Sequence, residues 1–238
     1  MKKTIKKQAN NKKPEKQGRP LSGSRTTLEQ EPITKKGLVI CNIGAGKGKT
    51  TAAIGTAIRA SGAGMNVFIL QFVKAKKRDD HDHTGEGEWP LSAEIDFLNK
   101  IKKDMDSGLR RNDTWDGLGR IDNEQVGLGF VGILGDKKDK AIHEKAAIEG
   151  LNRARQILIS KQYDVVILDE VVSALEVKLI TEQDIINLIK LKPYDTHLFI
   201  TGHNYFPGIL KLCDMVTEMK MVQHPYYKGI LAQRGIDY

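Results

Sequence analysis

The chain has 238 residues, enough for one α/β core or two small domains, and its hydrophobic fraction of 39% is that of an ordinary globular protein. Its formal charge of +8 invites a nucleic-acid reading, but residues 1–36 alone hold 11 Lys/Arg against 3 Asp/Glu, and the remainder holds 27 of each sign. The basic character therefore belongs to the N-terminal stretch and not to a face of a folded domain, so nucleic acid is not the expected partner.

Residues 1–36, rich in Lys, Asn, Gln and Pro, read as a disordered basic tail whose plainest role is solubility. The tail has no apolar core of a secretory signal, and no run of 18 apolar residues follows, so a cytoplasmic address and no membrane partner are expected. Cys41 and Cys213 make neither a disulfide framework nor a metal motif and read as buried thiols.

"GLVICN" (37–42) is a short apolar, β-branched run and reads as a buried strand. "IGAGKGKTT" (43–51) follows, and then "TTAAIGTAIRASG" (50–62) carries the Ala and Ile spacing of a helix. "MNVFILQFV" (65–73) reads as the second strand. Residues 75–128 break the rhythm: "DDHDH" (79–83) reads as a charged loop, and 102–127 as a surface insertion. A long amphipathic helix is expected over 140–160, and a third buried strand over "YDVVILDE" (163–170). Residues 181–191 open with a Thr cap and an acid three positions on, and read as helix. "HLFIT" (197–201) and "DMVTEM" (214–219) complete the strands, with a short helix between them after Pro207. Apolar strands alternating with helices predict an α/β fold with a mostly parallel sheet covered on both faces. The expected domain runs over 37–238.

Strand, glycine loop ending in Lys-Thr, then helix is the setting of a phosphate-binding loop. Gly44, Gly46 and Gly48 permit close approach of a ligand to the backbone, and amide groups and the helix N-terminus then converge on anionic oxygens. Lys49 and Lys47 supply positive charge, making them the candidate catalytic groups. The nucleotide contacts are expected from Gly44, Ala45, Gly46, Lys47, Gly48, Lys49, Thr50 and Thr51. The spacing departs from G-x-x-x-x-G-K-[ST]: only three residues separate Gly44 from Gly48, and Ile43 stands at the usual first glycine. The Thr50 hydroxyl suits Mg²⁺, with Asp169 and Glu170 at the end of the third strand as partner carboxylates, either of which could be the direct ligand. The turn "FITGHN" (199–204) should reach the same crevice through Thr201 or His203.

The segments 44–74, "GF" at 129–130, "YDVVILDEV" (163–171), "FITG" (199–202) and 214–238 together resemble the P-loop-type ATP:corrinoid adenosyltransferases. The G-x-G-K-G-K-T-T loop and the C-terminal "KGILAQRGIDY" are the most specific of these. The resemblance implies a RecA-like fold and a homodimer. It implies transfer of the 5′-deoxyadenosyl group of ATP to Co(I) of a reduced corrinoid, with Mg²⁺ as cofactor and triphosphate as leaving group. It implies an electron-donating reductase, a flavoprotein for example, and it places Phe130 against the corrinoid. Gly132, Ala45, His203 and Gln223 stand where the family commonly has Trp, Asn or Asp, Arg and Lys. Ala45 thereby lacks a hydrogen bond to the sugar, and His203 weakens a fixed positive charge. The alternative from the residues alone is a P-loop ATPase or kinase of another class.

Overall fold

Runs such as Val39–Ile43 and Val165–Asp169, buried at every position, can only sit in the interior of a sheet covered on both sides. The structure, a computed structural model, describes residues 36–75, 93–106, 117–128, 139–233 and 235–236. Its strands are β1 (Val39–Ile43), β2 (Val67–Ala75), β3 (Ile121–Gly127), β4 (Val165–Asp169), β5 (His197–Thr201) and β6 (Met215–Glu218). Its helices are α1 (Lys49–Gly62), α2 (Ala93–Asp106), α3 (Lys140–Ser160), α4 (Val171–Glu176), α5 (Glu182–Leu191) and α6 (Pro207–Leu210). The strands form one six-stranded sheet in the order β3-β2-β4-β5-β1-β6. Every neighbouring pair is parallel.

Alternate residues of the central strands enter two separate cores, whereas β6 is exposed along its whole length. Phe68, Leu70, Phe72, Val166, Leu168, Leu198 and Ile200 pack with α3, α4 and α5 on one face. Val67, Ile69, Val165, Ile167, Phe199 and Ile40 pack with α1 and α2 on the other. Each such side chain contributes about 1.5–3 kcal/mol on burial, which holds both helical layers to the sheet. The cap expected at Thr181 is present as a reciprocal box: the Asp184 amide donates to the Thr181 hydroxyl at 3.3 Å, and the Thr181 amide donates to Asp184 Oδ2 at 2.9 Å. Cys41 is buried and Cys213 half-buried, both as free thiols.

The surface insertion expected over 102–127 is corrected at both ends. Residues 102–106 close α2, which puts Ile95 and Leu98 into the core beside α1. Residues 121–127 are an edge strand of the sheet, in register with β2 from Val67↔Ile121 to Gln71↔Gln125. Residues 107–116 lie outside the described set, as do the "DDHDH" loop and most of the expected tail, 1–35. Lys36, assigned to that tail, is ion-paired with Asp214, whose other oxygen accepts from the Val39 amide at 2.9 Å. No described helix is long and apolar enough to cross a membrane.

Polar pairing holds β3 to the molecule. Glu124 takes a bidentate pair from Arg153 of α3, at 2.7 and 2.5 Å. Asp122, 7% exposed, accepts from the Tyr163 hydroxyl at 2.8 Å and is ion-paired with Lys102 at 2.7 Å and Arg120 at 2.6 Å. Burial alone would raise the Asp122 carboxyl, but the Lys102 and Tyr163 hydrogen bonds and the Arg120 charge more than reverse it, and its pKa is lowered. A lowered folded value contributes stability that is complete above the unfolded carboxylate range near ~3.9 and is lost as pH falls through the folded value. Asp122→Asn is accordingly expected to cost about 1–3 kcal/mol at pH 7 and to make the decline of Tm below pH ~4 shallower, as read by thermal denaturation across pH.

Candidate functional site

On the α1-facing side of the sheet the apolar rows end abruptly at the C-terminal edge of the strands. Register aligns Gln125, Gln71 and Asp169 across β3, β2 and β4, and Thr201, Asn42 and Thr217 across β5, β1 and β6. Two residues earlier on each central strand stand Ile69, Ile167, Phe199 and Ile40, all core. The last row before the crevice is thus polar, although Gln71, Asp169 and Thr201 are each no more than 1% exposed. Buried polar groups persist only when hydrogen-bonded.

Asp169 is the hub of that row. Its Oδ1 accepts from the Thr50 hydroxyl at 2.9 Å and the Thr201 hydroxyl at 2.8 Å. Its Oδ2 accepts from Gln71 Nε2 at 3.1 Å, with Thr50 a further 3.2 Å contact. Thr201 in turn accepts from the Glu170 amide at 2.7 Å. Glu170 is partly buried, has φ 60° and starts α4 without capping it through its side chain, so the strand leaves the sheet through a left-handed residue.

The glycine loop meets this row from β1. Gly48, at φ 102°, caps α1 with backbone alone, so no side chain occupies the amide groups of the first turn. Lys49 is 7% exposed, and its ammonium donates to Gly44 O at 2.7 Å and Gly46 O at 2.9 Å. Desolvation lowers its pKa, opposed by Glu170, Glu176 and Asp169. Lys47, Ala45 and Thr51 are exposed around it. The loop is fixed from outside by two bonds: the Gly44 amide donates to His203 O at 2.8 Å, and the Gly46 amide to Met219 O at 2.7 Å. A Cβ on Gly46 would stand 2.6 Å from Met219 O, closer than packed atoms tolerate.

His203 sits beyond Thr201, as expected from the "FITGHN" turn. The amides of His203 and Asn204 both donate to Glu176 Oε1, at 3.0 and 2.6 Å, and Ser173 Oγ lies 3.1 Å from His203 Nδ1. Desolvation and the nearby Lys49 charge lower the His203 pKa, opposed by Glu176. A cavity of about 500 Å³ opens beside the loop, lined among others by Ala45, His203, Asn204, Tyr205, Val216 and Glu218.

The structure thus brings the loop, Thr50, Asp169, Glu170, Thr201 and His203 to one crevice; Phe130 lies outside the described residues. Among those described, no group of three or more His, Cys, Asp or Glu forms a metal cage. A Thr hydroxyl beside a carboxylate at the mouth of a phosphate loop is instead the hard-oxygen setting that Mg²⁺ occupies when phosphates complete its shell. The sequence reading missed Gln71, Gln125, Ser173, Glu176 and Met219. Of these, only Gln71 left a signal, as the one polar residue inside "VFILQFV" (67–73).

A family model described as ATP:corrinoid adenosyltransferase BtuR/CobO/CobP matches residues 35–238. A corrinoid adenosyltransferase of a Sinorhizobium species is 30% identical over 217 residues, spanning 90% of this chain and 86% of that protein. One from Escherichia coli K12 is 30% identical, and one from Salmonella typhimurium 28% identical, each over 86% of this chain and 87% of the relative.

Crowding at Gly46 yields a contrast within the same segment. Gly46→Ala is expected to push Met219 off the loop and weaken ATP binding at least tenfold by calorimetry. Gly55→Ala, in the interior of α1 with open space around it, should leave binding intact and stabilise the protein by about 0.5–1 kcal/mol.

Proposed function

The chain belongs to the ATP:corrinoid adenosyltransferase family, and from that premise we propose how its crevice carries out the transfer. ATP and a corrinoid are the substrates. Co(I) of the corrinoid attacks C5′ of ATP: the Co–C5′ bond forms, the C5′–O bond breaks, and triphosphate leaves with the electron pair. The attacking atom belongs to the substrate, so the protein needs no Ser or Cys nucleophile and no general base. It must hold C5′ in line and stabilise the charge growing on the leaving group.

The observation that carries this assignment is the convergence of the uncapped α1 N-terminus, Lys49 and the Thr50–Asp169 pair at one point. In the proposed complex the triphosphate lies along the loop amides, and Lys49 exchanges its two loop carbonyls for phosphate oxygens. Lys47, exposed at the loop's rim, adds a second charge. Thr50, with Asp169 or Glu170, would hold Mg²⁺, which neutralises part of the triphosphate charge when bound. Thr201 fixes Asp169, and His203 borders the cavity beside the loop, where the nucleoside end of ATP is supported by the lining of Ala45, Asn204 and Tyr205. His203 and Ala45 give the leaving group and sugar fewer fixed polar partners than Arg and Asn would.

Phe130 remains the proposed corrinoid-facing residue, resting on the resemblance alone. A homodimer, a reductase donor of the electron that makes Co(I), a cytoplasmic setting that keeps Cys41 and Cys213 reduced, and a catalytic unit over 37–238 complete the reading.

Product analysis tests it. Protein, MgATP and chemically reduced cobalamin should yield adenosylcobalamin and inorganic triphosphate in equal amounts; ADP and phosphate instead would establish a hydrolase. Lys49→Ala should lower turnover by at least a hundredfold, on the scale of losing one fixed donor to a developing anion, and wild-type turnover in that variant would remove the loop from the mechanism.

A further inference from the structure

We propose that Gln71, with Gln125 behind it, is a positioning residue that locks the Asp169 carboxylate in the orientation needed for Thr50 to serve as a metal ligand. The inference deepens the function above and rests on it. Gln71 is 1% exposed and Gln125 7%, and they stand side by side in register on β2 and β3, at the level of Asp169. Gln125 Nε2 donates to Gln71 Oε1 at 3.2 Å, and Gln71 Nε2 donates to Asp169 Oδ2 at 3.1 Å. The relay runs from the edge strand to the hub of the crevice.

The chemistry of the groups fixes the direction of every bond. An ionised carboxylate only accepts, so Gln71 must present its NH₂ to Asp169 and its carbonyl to Gln125. Thr201 accepts from the Glu170 amide, so its own proton goes to Asp169. Thr50 likewise gives its proton to Asp169, which leaves its oxygen lone pairs available to a cation at the loop mouth. Rotation of the carboxylate would break the Thr50, Thr201 and Gln71 bonds together. Without Gln71, Oδ2 loses its one amide donor and the carboxylate is held mainly through Oδ1.

A packing role does not account for these residues. The same strand face carries Ile69 two positions earlier, and an apolar side chain would continue that row without the cost of desolvating an amide. Two buried amides in sequence are warranted only if the group at the end of the chain has to be held. Partners that orient a metal's direct ligands govern metal affinity by about 10–100-fold when removed.

The test is isothermal titration of ATP into the full chain over a series of Mg²⁺ concentrations and in EDTA. Gln71→Met is expected to bind ATP as wild type does in EDTA but to need about tenfold more Mg²⁺ for the same enhancement. Gln125→Met should shift the Mg²⁺ dependence in the same direction by less. The double variant should be no worse than Gln71→Met, because both act through one carboxylate. Wild-type Mg²⁺ dependence in Gln71→Met, an equal loss with and without Mg²⁺, or additive losses in the double variant would overturn the proposal. If Gln71→Met does not fold, Gln125→Met decides: unchanged Mg²⁺ dependence there also overturns it. The titration contains no corrinoid, so a failure of the transfer reaction, read by product analysis, is separate from a failure of the relay.

Discussion

A carboxylate buried to 1% at the end of a central strand is the constraint around which this molecule is arranged. The charge of Asp169 cannot be left to a low-dielectric interior without donors. Three come from three different elements: Gln71 from β2, Thr201 from β5 and Thr50 from α1. The Thr50 bond ties the first turn of α1 to β4, across the strand that separates β4 from β1. The strand order places β5 between the strand that feeds the loop and the strand that carries the acid, which is why Thr201 reaches Asp169 and the following His203 reaches the loop. Position of the crevice follows from the same row: below it the face is apolar and sealed by α1, and above it the strands end.

Charge balance near the loop explains what the site asks of a ligand. Two ammoniums, Lys47 and Lys49, lie among three carboxylates, Asp169, Glu170 and Glu176. A bare triphosphate entering such a pocket would meet more carboxylates than ammoniums. In the proposed complex a divalent cation at Thr50 would bring positive charge to the carboxylates and leave the outer phosphate oxygens to the lysines. Lys49 donates to the carbonyls of Gly44 and Gly46, neutral acceptors that a phosphate oxygen would outcompete as a charge-assisted partner in the proposed complex.

The elements with one clear period were legible in the sequence. Residues 140–160 and 197–201 form the expected helix and strand with the expected limits, and the loop, Thr50, Asp169, Thr201 and His203 meet in one crevice as their strand-end positions implied. β3 was illegible because neither of its faces is hydrophobic enough to announce itself. Gln125 faces the functional row, whereas Asp122 and Glu124 face the Tyr163 and Arg153 cluster. A strand with buried polar residues on both faces reads as a loop to any test of alternation. α2 was lost with it, although Ile95 and Leu98 stand at helical spacing, because charged residues surround them. Gln71 shows the converse: an amide inside an apolar strand conflicts with its local pattern, and such conflicts concentrate at functional sites.

The glycines of the loop are required for two different physical reasons, and the difference changes what a substitution there can report. Gly48 lies at φ 102° with only the Met219 sulfur near its missing Cβ, at 3.6 Å, so its constraint is conformational. Gly46 has no such φ; its constraint is the backbone of Met219, against which a Cβ would collide. Gly44 carries both, with φ 105° and Met219 O 2.4 Å from where a Cβ would stand. The residue after β6 therefore shapes the first half of the loop as directly as any phosphate does. A side chain introduced at Gly46 would disturb the proposed nucleotide site through the C-terminal segment, whereas one at Gly48 would disturb it through the start of α1. Loss of binding at either position would show that the loop must keep its shape; Lys47, Lys49 and Thr50, whose side chains meet the ligand in the proposed complex, can show what the shape is for.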